Sequence, residues 1–249
     1  MLGDLAVVRC LRGDLGAALR SAEAGLQLMR DVGDRRLEGQ ELGTLGNSQH
    51  LAGHPDARAT LQRAVERLDA LGSRGLLARA VANLGSCELG RGDLVAARQL
   101  EERALALADE VGNRRQWGES RAVLGRVALV AGDRAAARAH YEAALAVAAE
   151  VDQPQLRGEA LASLAELDAD DGDLPRAAER IDAAEAQLRA ISDALALGRV
   201  LCARVRVASA LGDAARAETA RAEVDRIVAR AELRPGAPLL QLRAALPGR

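Results

Sequence analysis

Residues 112–133 read GNRRQWGESRAVLGRVALVAGD, one helix-length segment between two turn signals. Glycine suits the left-handed residue that ends a helix, and the Asn or Asp that follows can accept hydrogen bonds from the first free amides of the next helix. The segment from Arg114 to Ala131 is therefore predicted to be one helix. After Gly132-Asp133, the segment from Arg134 to Val151 is predicted to be a second helix antiparallel to it.

These turn signals recur with a fixed period. A glycine followed by Asp or His stands at 13, 53, 92, 132, 172 and 212, so the spacing is always 39 or 40 residues. A second series of turn residues stands at 33, 72, 112, 152 and 192, with the same spacing. Two independent series that share one period predict an internal repeat of six helical hairpins.

Composition supports an all-helical repeat array. The chain has 249 residues, of which 49% are hydrophobic, but it has no Phe and only Trp117 and Tyr141 are aromatic. Ordering one 40-residue hairpin costs roughly 60 kcal/mol, and two Ala-rich helices cannot bury enough apolar surface to offset it. Stacking on neighbouring hairpins can, so we expect an all-α solenoid that forms one domain over residues 1–249.

Small residues mark the helix contacts of each hairpin. Leu45-Gly46, Leu84-Gly85 and Leu124-Gly125 each precede a turn glycine by seven residues, and Tyr141 follows Ala137 by four. These residues resemble tetratricopeptide repeats (TPRs). The 40-residue period is similar to that of bacterial transcription activators of the maltose-regulator type and of animal Leu-Gly-Asn scaffold proteins. The resemblance implies a right-handed α-α superhelix of about six hairpins whose first helices line a concave groove.

The last repeats depart from this pattern. The fifth and sixth repeats read Leu164-Ala165 and Arg204-Val205 in place of Leu-Gly, so we expect them to pack differently or to serve as a cap. After Pro235-Gly236, the segment 237–246 is predicted to be a short capping helix over the sixth repeat. A docking peptide for another molecule is the less favoured alternative.

The first helix is short. By the repeat pattern Met1 falls inside it, which leaves Leu2, Leu5 and Val8 without an apolar neighbour. Two explanations stay open at this point. Either an upstream repeat or signalling domain precedes this chain, or the helix is simply short and is covered by a homodimer contact or partly exposed.

We find no catalytic, cofactor or metal site in the sequence. His50 and His54 are separated by a helix end, and Cys10, Cys87 and Cys202 lie in first helices of different repeats, so neither set has metal-ligand spacing. Three distant cysteines instead suggest a reducing, cytoplasmic compartment. The acidic run 168–173 resembles a calcium loop with its glycine one residue early, and a turn with a helix cap explains it better.

Charge argues against nucleic acid or membrane as a direct partner. The formal net charge is −2, and all 34 basic residues are Arg, which with the excess of Ala and Gly suggests a GC-rich bacterial source. Such a balance gives no general attraction to phosphate backbones or anionic lipid surfaces. We therefore expect a protein or an extended peptide as the partner.

The resemblance to TPR arrays also implies which residues face that partner. Arg at the helix starts opposes the helix dipole in three repeats, which favours a use in binding, although ordinary solvated Arg is the alternative. Glu159, Glu166 and Asp170 would make the far end of the groove acidic. Trp117 either anchors a ligand or packs against the preceding repeat. The predicted groove residues are Arg35, Gln40, Asn47, Arg74, Asn83, Ser86, Arg114, Trp117, Glu119 and Arg126.

Two functions follow as hypotheses. The first is a non-enzymatic scaffold that binds a peptide or protein segment in its groove, in bacterial signalling or regulation. The alternative is the C-terminal sensor module of a larger transcription regulator, protein kinase or signalling ATPase, with the chain truncated at its N-terminus.

Overall fold

A computed structural model describes residues 2–247, which form thirteen α-helices and no strand within that range. Twelve of the helices pair into six hairpins, as predicted, and the thirteenth follows the sixth hairpin. The helices are α1 (Leu2–Leu11), α2 (Leu15–Val32), α3 (Arg35–Ala52), α4 (Ala57–Ala70), α5 (Arg74–Arg91), α6 (Leu94–Glu110), α7 (Arg114–Val130), α8 (Arg134–Glu150), α9 (Pro154–Asp170), α10 (Leu174–Ala190), α11 (Ala194–Ala210), α12 (Ala214–Arg230) and α13 (Pro238–Ala244).

The hairpins close at the periodic glycines. Gly132 ends α7 with φ of +85°, in the left-handed region, and the Asp133 carboxylate accepts a hydrogen bond of 2.9 Å from the amide of Ala136. Between repeats, Asp152 and Ser192 take φ of 49° and 55° where earlier repeats have glycine. The predicted turn chemistry is therefore confirmed, with some backbone strain in the later repeats.

The Leu-Gly pairs mark the closest approach of the two helices of a hairpin. A Cβ on Gly125 would lie 2.6 Å from Cε1 of Tyr141, and a Cβ on Gly46 would lie 2.6 Å from Cγ of Leu61. Any side chain larger than hydrogen would push the helices apart. Each glycine therefore accepts one large side chain from the second helix, which fixes the spacing of the hairpin.

The array winds back on itself. Cys10 and Leu15 of the first hairpin share one hydrophobic cluster with Leu201, Cys202 and Val205 of the sixth. The end of α1 meets the start of α11, since a Cβ on Gly13 would lie 3.5 Å from Cβ of Ala194. The six hairpins thus complete about one superhelical turn, and the sixth lies against the edge of the first.

The C-terminal segment 234–244, which includes α13, stabilises this contact. Leu239, buried to 4% exposure, packs over Gly198 of α11. On the other side, the amide of Arg234 donates a 2.8 Å hydrogen bond to the carbonyl of Ala52, at the end of α3. The segment therefore caps the sixth repeat and also ties it to the second.

The accessible surface agrees with this winding. It measures 11358 Å², while a compact monomer of the same mass is expected to expose about 10,600 Å². The surface is thus only slightly larger than that of a compact monomer, which agrees with the contact between the two ends of the array.

The first helix leaves an apolar face uncovered, as predicted. Leu2, Leu5, Val7 and Val8 are between 36% and 47% exposed.

Within residues 2–247, no helix combines the length and the hydropathy that a membrane-spanning segment needs.

Candidate functional site

Polar residues recur at two positions, seven residues apart, of five first helices, and they face the interior of the superhelix. The residue three positions after the first of them is small, and it is Gly43, Ala82, Ala122, Ala162 or Cys202. We call the polar set the inner wall. Its residues are Gln40 and Asn47 of α3, Arg79 and Ser86 of α5, Glu119 and Arg126 of α7, Glu159 and Glu166 of α9, and Arg199 and Arg206 of α11.

Electrostatic contacts show that these positions face one another. The carboxyl of Glu119 is influenced by Arg79 on one side and by Glu159 on the other, and Glu159 pairs with Arg199. Two positions seven residues apart lie within about 20° of each other around a helix. The inner wall is therefore one continuous surface that runs through five helices.

Protein surrounds the inner wall, but solvent still reaches its side chains. Loss of solvent raises the pKa of Glu119 and of Glu166 above the ordinary value, because protein surrounds both carboxyls. Even so, 37% of the Glu119 side chain and 26% of the Glu166 side chain stay accessible to water. Both observations together describe a concave surface that protein surrounds and solvent still reaches, which we call the channel.

Ion pairs close the inner wall between α9 and α11. Glu159 pairs with Arg199 and Glu166 pairs with Arg206, in both cases across 40 residues of sequence. The two helices pack directly on each other. The acidic end that we expected from Glu159 and Glu166 is therefore neutralised. Asp170 pairs instead with Arg134 of α8, at 2.7 Å.

The wall between α5 and α7 is different, because its cations are unpaired. Within residues 2–247, no carboxylate lies within ion-pair distance of Arg79 or of Arg126. Glu119 pairs with Arg115 of its own helix, at 3.0 Å. This part of the channel therefore offers two guanidinium groups to an incoming anion.

His50 lies where residues of several first helices come close together. It lies near the end of α3, where a Cβ on Gly90 would be 3.1 Å from its Cε1. Burial, and then the charges of Arg126 and Arg199, lower the pKa of His50 to about 4. Residues of α3, α7 and α11 are thus close enough to influence one ring, so His50 is neutral at pH 7.

The structure brings six of the ten predicted groove residues to this surface. Gln40, Asn47, Ser86, Glu119 and Arg126 belong to the inner wall, and Asn83 lies beside them, four residues after Arg79 on the same face of α5. The predicted groove residues did not include Arg79, Arg199, Arg206 and His50. The 40-residue register points to the three arginines, since each lies one repeat away from Glu119, Glu159 or Glu166.

The three arginines at helix starts lie elsewhere. Arg74 and Arg114 precede the inner-wall residue of their helix by five positions, about 140° around the axis. Arg114 donates hydrogen bonds of 3.1 and 3.0 Å to Glu150, the last residue of α8, and Arg74 is 3.7 Å from Glu110, the last residue of α6. These exposed pairs give the recurrence a structural explanation, and Arg35 is likewise exposed at the start of α3.

Trp117 also faces away from the channel. It is half-buried between the guanidinium groups of Arg114 and Arg121, whose Cζ atoms lie 4.8 and 4.5 Å from the ring centroid. Trp117 stands two positions before Glu119, which places the two side chains about 200° apart around α7. The ring is stacked on two guanidinium groups of its own helix, and it lies on the face of α7 opposite to Glu119.

The other chemical candidates lie in structural positions. Cys10, Cys87 and Cys202 are buried, and no group of three or more His, Cys, Asp or Glu in the described chain is arranged to hold a metal ion. Asp168 is buried and bound by Arg138 and Arg180, while Asp173 caps α10. The acidic run is therefore a helix cap together with a buried ion-pair cluster.

Solved structures share this architecture. BtubC (BKLC) from P. vanneervenii is 20% identical over 86% of this chain and 91% of that chain, with a TM-score of 0.63. A Rap protein complexed with Competence and Sporulation Factor is 20% identical over 97% of this chain and 64% of that chain, with a TM-score of 0.73. A signal transduction ATPase with a tetratricopeptide repeat sensor, from Pyrococcus horikoshii, is 13% identical over 98% of this chain and 41% of that chain, with a TM-score of 0.61.

At these identities the likeness concerns the fold alone. The chain has the superhelical fold of tetratricopeptide-type repeat arrays. It spans less than two thirds of the Rap protein and less than half of the ATPase. No protein family and no curated protein matches the sequence.

Proposed function

We propose that the chain is a non-enzymatic interaction module that holds an extended, acidic peptide segment in its channel, between α5 and α7, as part of bacterial signalling or regulation. In this proposal residues 1–249 act as one domain. The observation that carries it is the pair of guanidinium groups of Arg79 and Arg126, which form no ion pair with a carboxylate of residues 2–247, although Glu119 lies within electrostatic range of Arg79. A carboxylate of the peptide would supply the missing counter-charge.

The surrounding side chains suit a peptide backbone. Asn47, Asn83 and Ser86 are half-buried on the same surface and offer amide and hydroxyl groups to backbone N–H and C=O. The Rap structure, whose complex contains Competence and Sporulation Factor, gives a precedent for ligand binding by an array of this fold. That complex concerns the Rap protein, and the present residues argue for their own ligand.

Retention of synthetic peptides tests this proposal. Immobilised protein is incubated with random hexapeptides that carry either a free or an amidated C-terminus, and retained peptides are identified by mass spectrometry. We expect retention of peptides rich in Asp and Glu, reduced about tenfold by Arg126→Gln, since a charge-assisted hydrogen bond contributes about 1.5 kcal/mol or more.

The matched control is Arg103→Gln, which removes an arginine from the outer helix α6, where it pairs with Asp69 at 2.7 Å. It should retain the same peptides as the unaltered chain. Equal loss in both variants, or a retained pool with no acidic preference, would contradict the proposal.

A second candidate function is the sensor module of a larger regulator. The exposed apolar face of α1, formed by Leu2, Leu5, Val7 and Val8, favours it, because a preceding helix would cover that face. The ATPase from Pyrococcus horikoshii carries such an array as a sensor. Genomic sequence immediately upstream of the Met1 codon distinguishes the two: an in-frame domain supports this candidate, and a stop codon there rules it out.

A further inference from the structure

We propose that a cavity on the outer side of α7 is a second binding site, which takes a phosphoryl group. The cavity measures about 260 Å³ and lies between α6 and α8. Its polar lining is Arg98 and Glu102 of α6, Arg121 of α7 and His140 of α8, and its apolar lining includes Leu105 and Leu124. We call it the outer pocket.

The outer pocket is separate from the channel. Arg121 stands two residues after Glu119, about 200° around α7, so one helix presents its opposite faces to the two sites. The channel surface belongs to the first helices of the repeats, while the outer pocket is built largely from the second helices α6 and α8. A ligand in one site therefore does not occupy the other.

The cations of this pocket have no counter-charge in contact with them. No carboxylate of residues 2–247 forms an ion pair with Arg98 or Arg121, although Glu102 lies in the lining. The Nε of Arg121 is buried without a hydrogen-bond partner, and its Nη1 lies 3.3 Å from Nδ1 of His140. The Nε itself has almost no solvent-accessible surface, so an anion in the cavity would act on the guanidinium charges of Arg98 and Arg121 and on the N–H groups that line the cavity.

His140 adds a neutral donor to the two cations. Burial lowers its pKa, and the charges of Arg121 and Arg98 lower it further, against the opposing effects of Asp133 and Glu102. The ring is therefore neutral at pH 7 and keeps one N–H that can be donated. Two guanidinium groups and one imidazole N–H suit an anion that has several acceptor oxygens.

Geometry favours the phosphoryl group. The volume, just below the roughly 300–1,000 Å³ of drug-sized ligand sites, admits such a group together with part of the molecule that carries it. Guanidinium N–H groups match phosphate oxygens in pairs. Trp117 stacks on Arg121, with 4.5 Å between the ring centroid and Cζ, and so holds this guanidinium group against the pocket.

Trp117 is the only tryptophan of the chain, so its fluorescence reports on the neighbouring Arg121. Inorganic phosphate is titrated at constant ionic strength, with chloride as the replacement anion, and calorimetry gives the stoichiometry. We expect saturable binding of one phosphate per chain at the site that the Trp117 fluorescence reports. The same titration followed by NMR should show a higher pKa of His140, because the bound anion offsets Arg98 and Arg121.

Arg121→Gln and Arg98→Gln should each weaken phosphate binding about tenfold or more. Arg103→Gln, which removes an exposed arginine of α6 that pairs with Asp69, is the matched control and should leave phosphate binding unchanged. Circular dichroism verifies that each variant is folded. Binding that is equal in all three variants, or a response that chloride reproduces, overturns the proposal.

Three further titrations define the ligand. O-phosphoserine, serine and glutarate are compared with inorganic phosphate in the same assay. Binding of phosphoserine together with phosphate assigns the pocket to a phosphoryl group attached to a larger molecule, and binding of phosphate alone assigns it to the free ion. Glutarate binding as tightly as phosphate contradicts selection of a phosphoryl group. Because Arg126→Gln tests the peptide channel and Arg121→Gln tests the pocket, failure of one proposal is distinguishable from failure of the other.

Discussion

The inner wall between α9 and α11 and the inner wall between α5 and α7 occupy the same repeat positions but differ in charge pairing. In the first, Glu159 faces Arg199 one repeat later, and the helices close on each other. In the second, Arg79 and Arg126 face no carboxylate within pairing distance in the described chain. Two residues per repeat therefore determine whether neighbouring first helices seal the channel or leave it able to bind a ligand.

Reversing a charge in the inner wall between α9 and α11, the sealed part, should have the largest effect on stability. Glu159→Arg would place two guanidinium groups together in a partly buried site, and we expect a loss of about 3 kcal/mol in the free energy of unfolding. Urea unfolding measures it. The equivalent change one repeat earlier, Glu119→Arg, removes a pair with exposed Arg115 and adds a cation near Arg79. Because Arg79 is exposed and forms no ion pair, we expect a smaller loss, of about 1 kcal/mol.

The double variant Glu159→Arg/Arg199→Glu checks that charge is the cause. It should recover most of the lost stability, because the pair is restored with reversed polarity. If the two single changes at 159 and 119 have equal cost, the distinction between the sealed and open walls is incorrect.

A smaller effect is expected where the C-terminal segment meets the second repeat. Gly53→Ala places a Cβ 2.6 Å from the amide nitrogen of Ala237, whereas Gly92→Ala meets nothing within 4 Å. Both glycines have positive φ, +74° and +85°, so both variants carry the same backbone strain. We expect Gly53→Ala to lose about 2 kcal/mol more than Gly92→Ala in thermal unfolding. Equal losses would mean that α13 does not fasten the sixth repeat to the second.

The core offers a third comparison between equivalent positions. Glu101 is fully buried against Gly85, where the second and fourth hairpins have Leu61 and Tyr141 against their glycines. Neither carboxyl oxygen accepts a hydrogen bond of good geometry, and burial raises the pKa of Glu101 well above 4.5 against the opposing effects of the nearby Ser120 hydroxyl and Arg126. The folded chain therefore holds this proton more tightly than the unfolded chain does, so stability falls as pH rises above about 4.5.

Glu101→Gln removes this dependence on pH. We expect it to match the unaltered chain near pH 4 and to exceed it by about 1–2 kcal/mol at pH 8, measured by urea unfolding at both values. Glu102→Gln, at the next and exposed position, is the control and should show no such divergence. A constant difference between Glu101→Gln and the unaltered chain across this pH range would exclude the buried carboxyl as its origin.

The smallest expected effect concerns His50. Its pKa of about 4 depends partly on Arg126 and Arg199, so Arg126→Gln should raise that pKa without unfolding the chain. NMR titration of the imidazole signals measures this. An acidic peptide bound beside Arg126 should shift the pKa in the same direction. An unchanged value in the variant would show that Arg126 does not reach the channel near His50.

The sequence was sufficient for the repeat, its hairpins and its turn chemistry, because those depend on local residues such as Gly132 and Asp133. The resemblance to tetratricopeptide arrays also implied an inner position for Glu119 and Arg126, which lie seven residues apart on one face of α7. It did not reveal that Cys10 and Cys202 share one cluster, because contact between the ends depends on small rotations added over six repeats. Arg114 was assigned to the groove because its recurrence is visible in sequence, while its partner Glu150 at the end of α8 is not.

Small-angle X-ray scattering of the full chain tests most directly whether the array winds back on itself. With the sixth hairpin lying on the first, the account predicts a compact particle with a radius of gyration of about 18–20 Å. A clearly larger radius, with the long maximum dimension of an open solenoid, would contradict it, because the ends would then lie apart and no enclosed channel would exist.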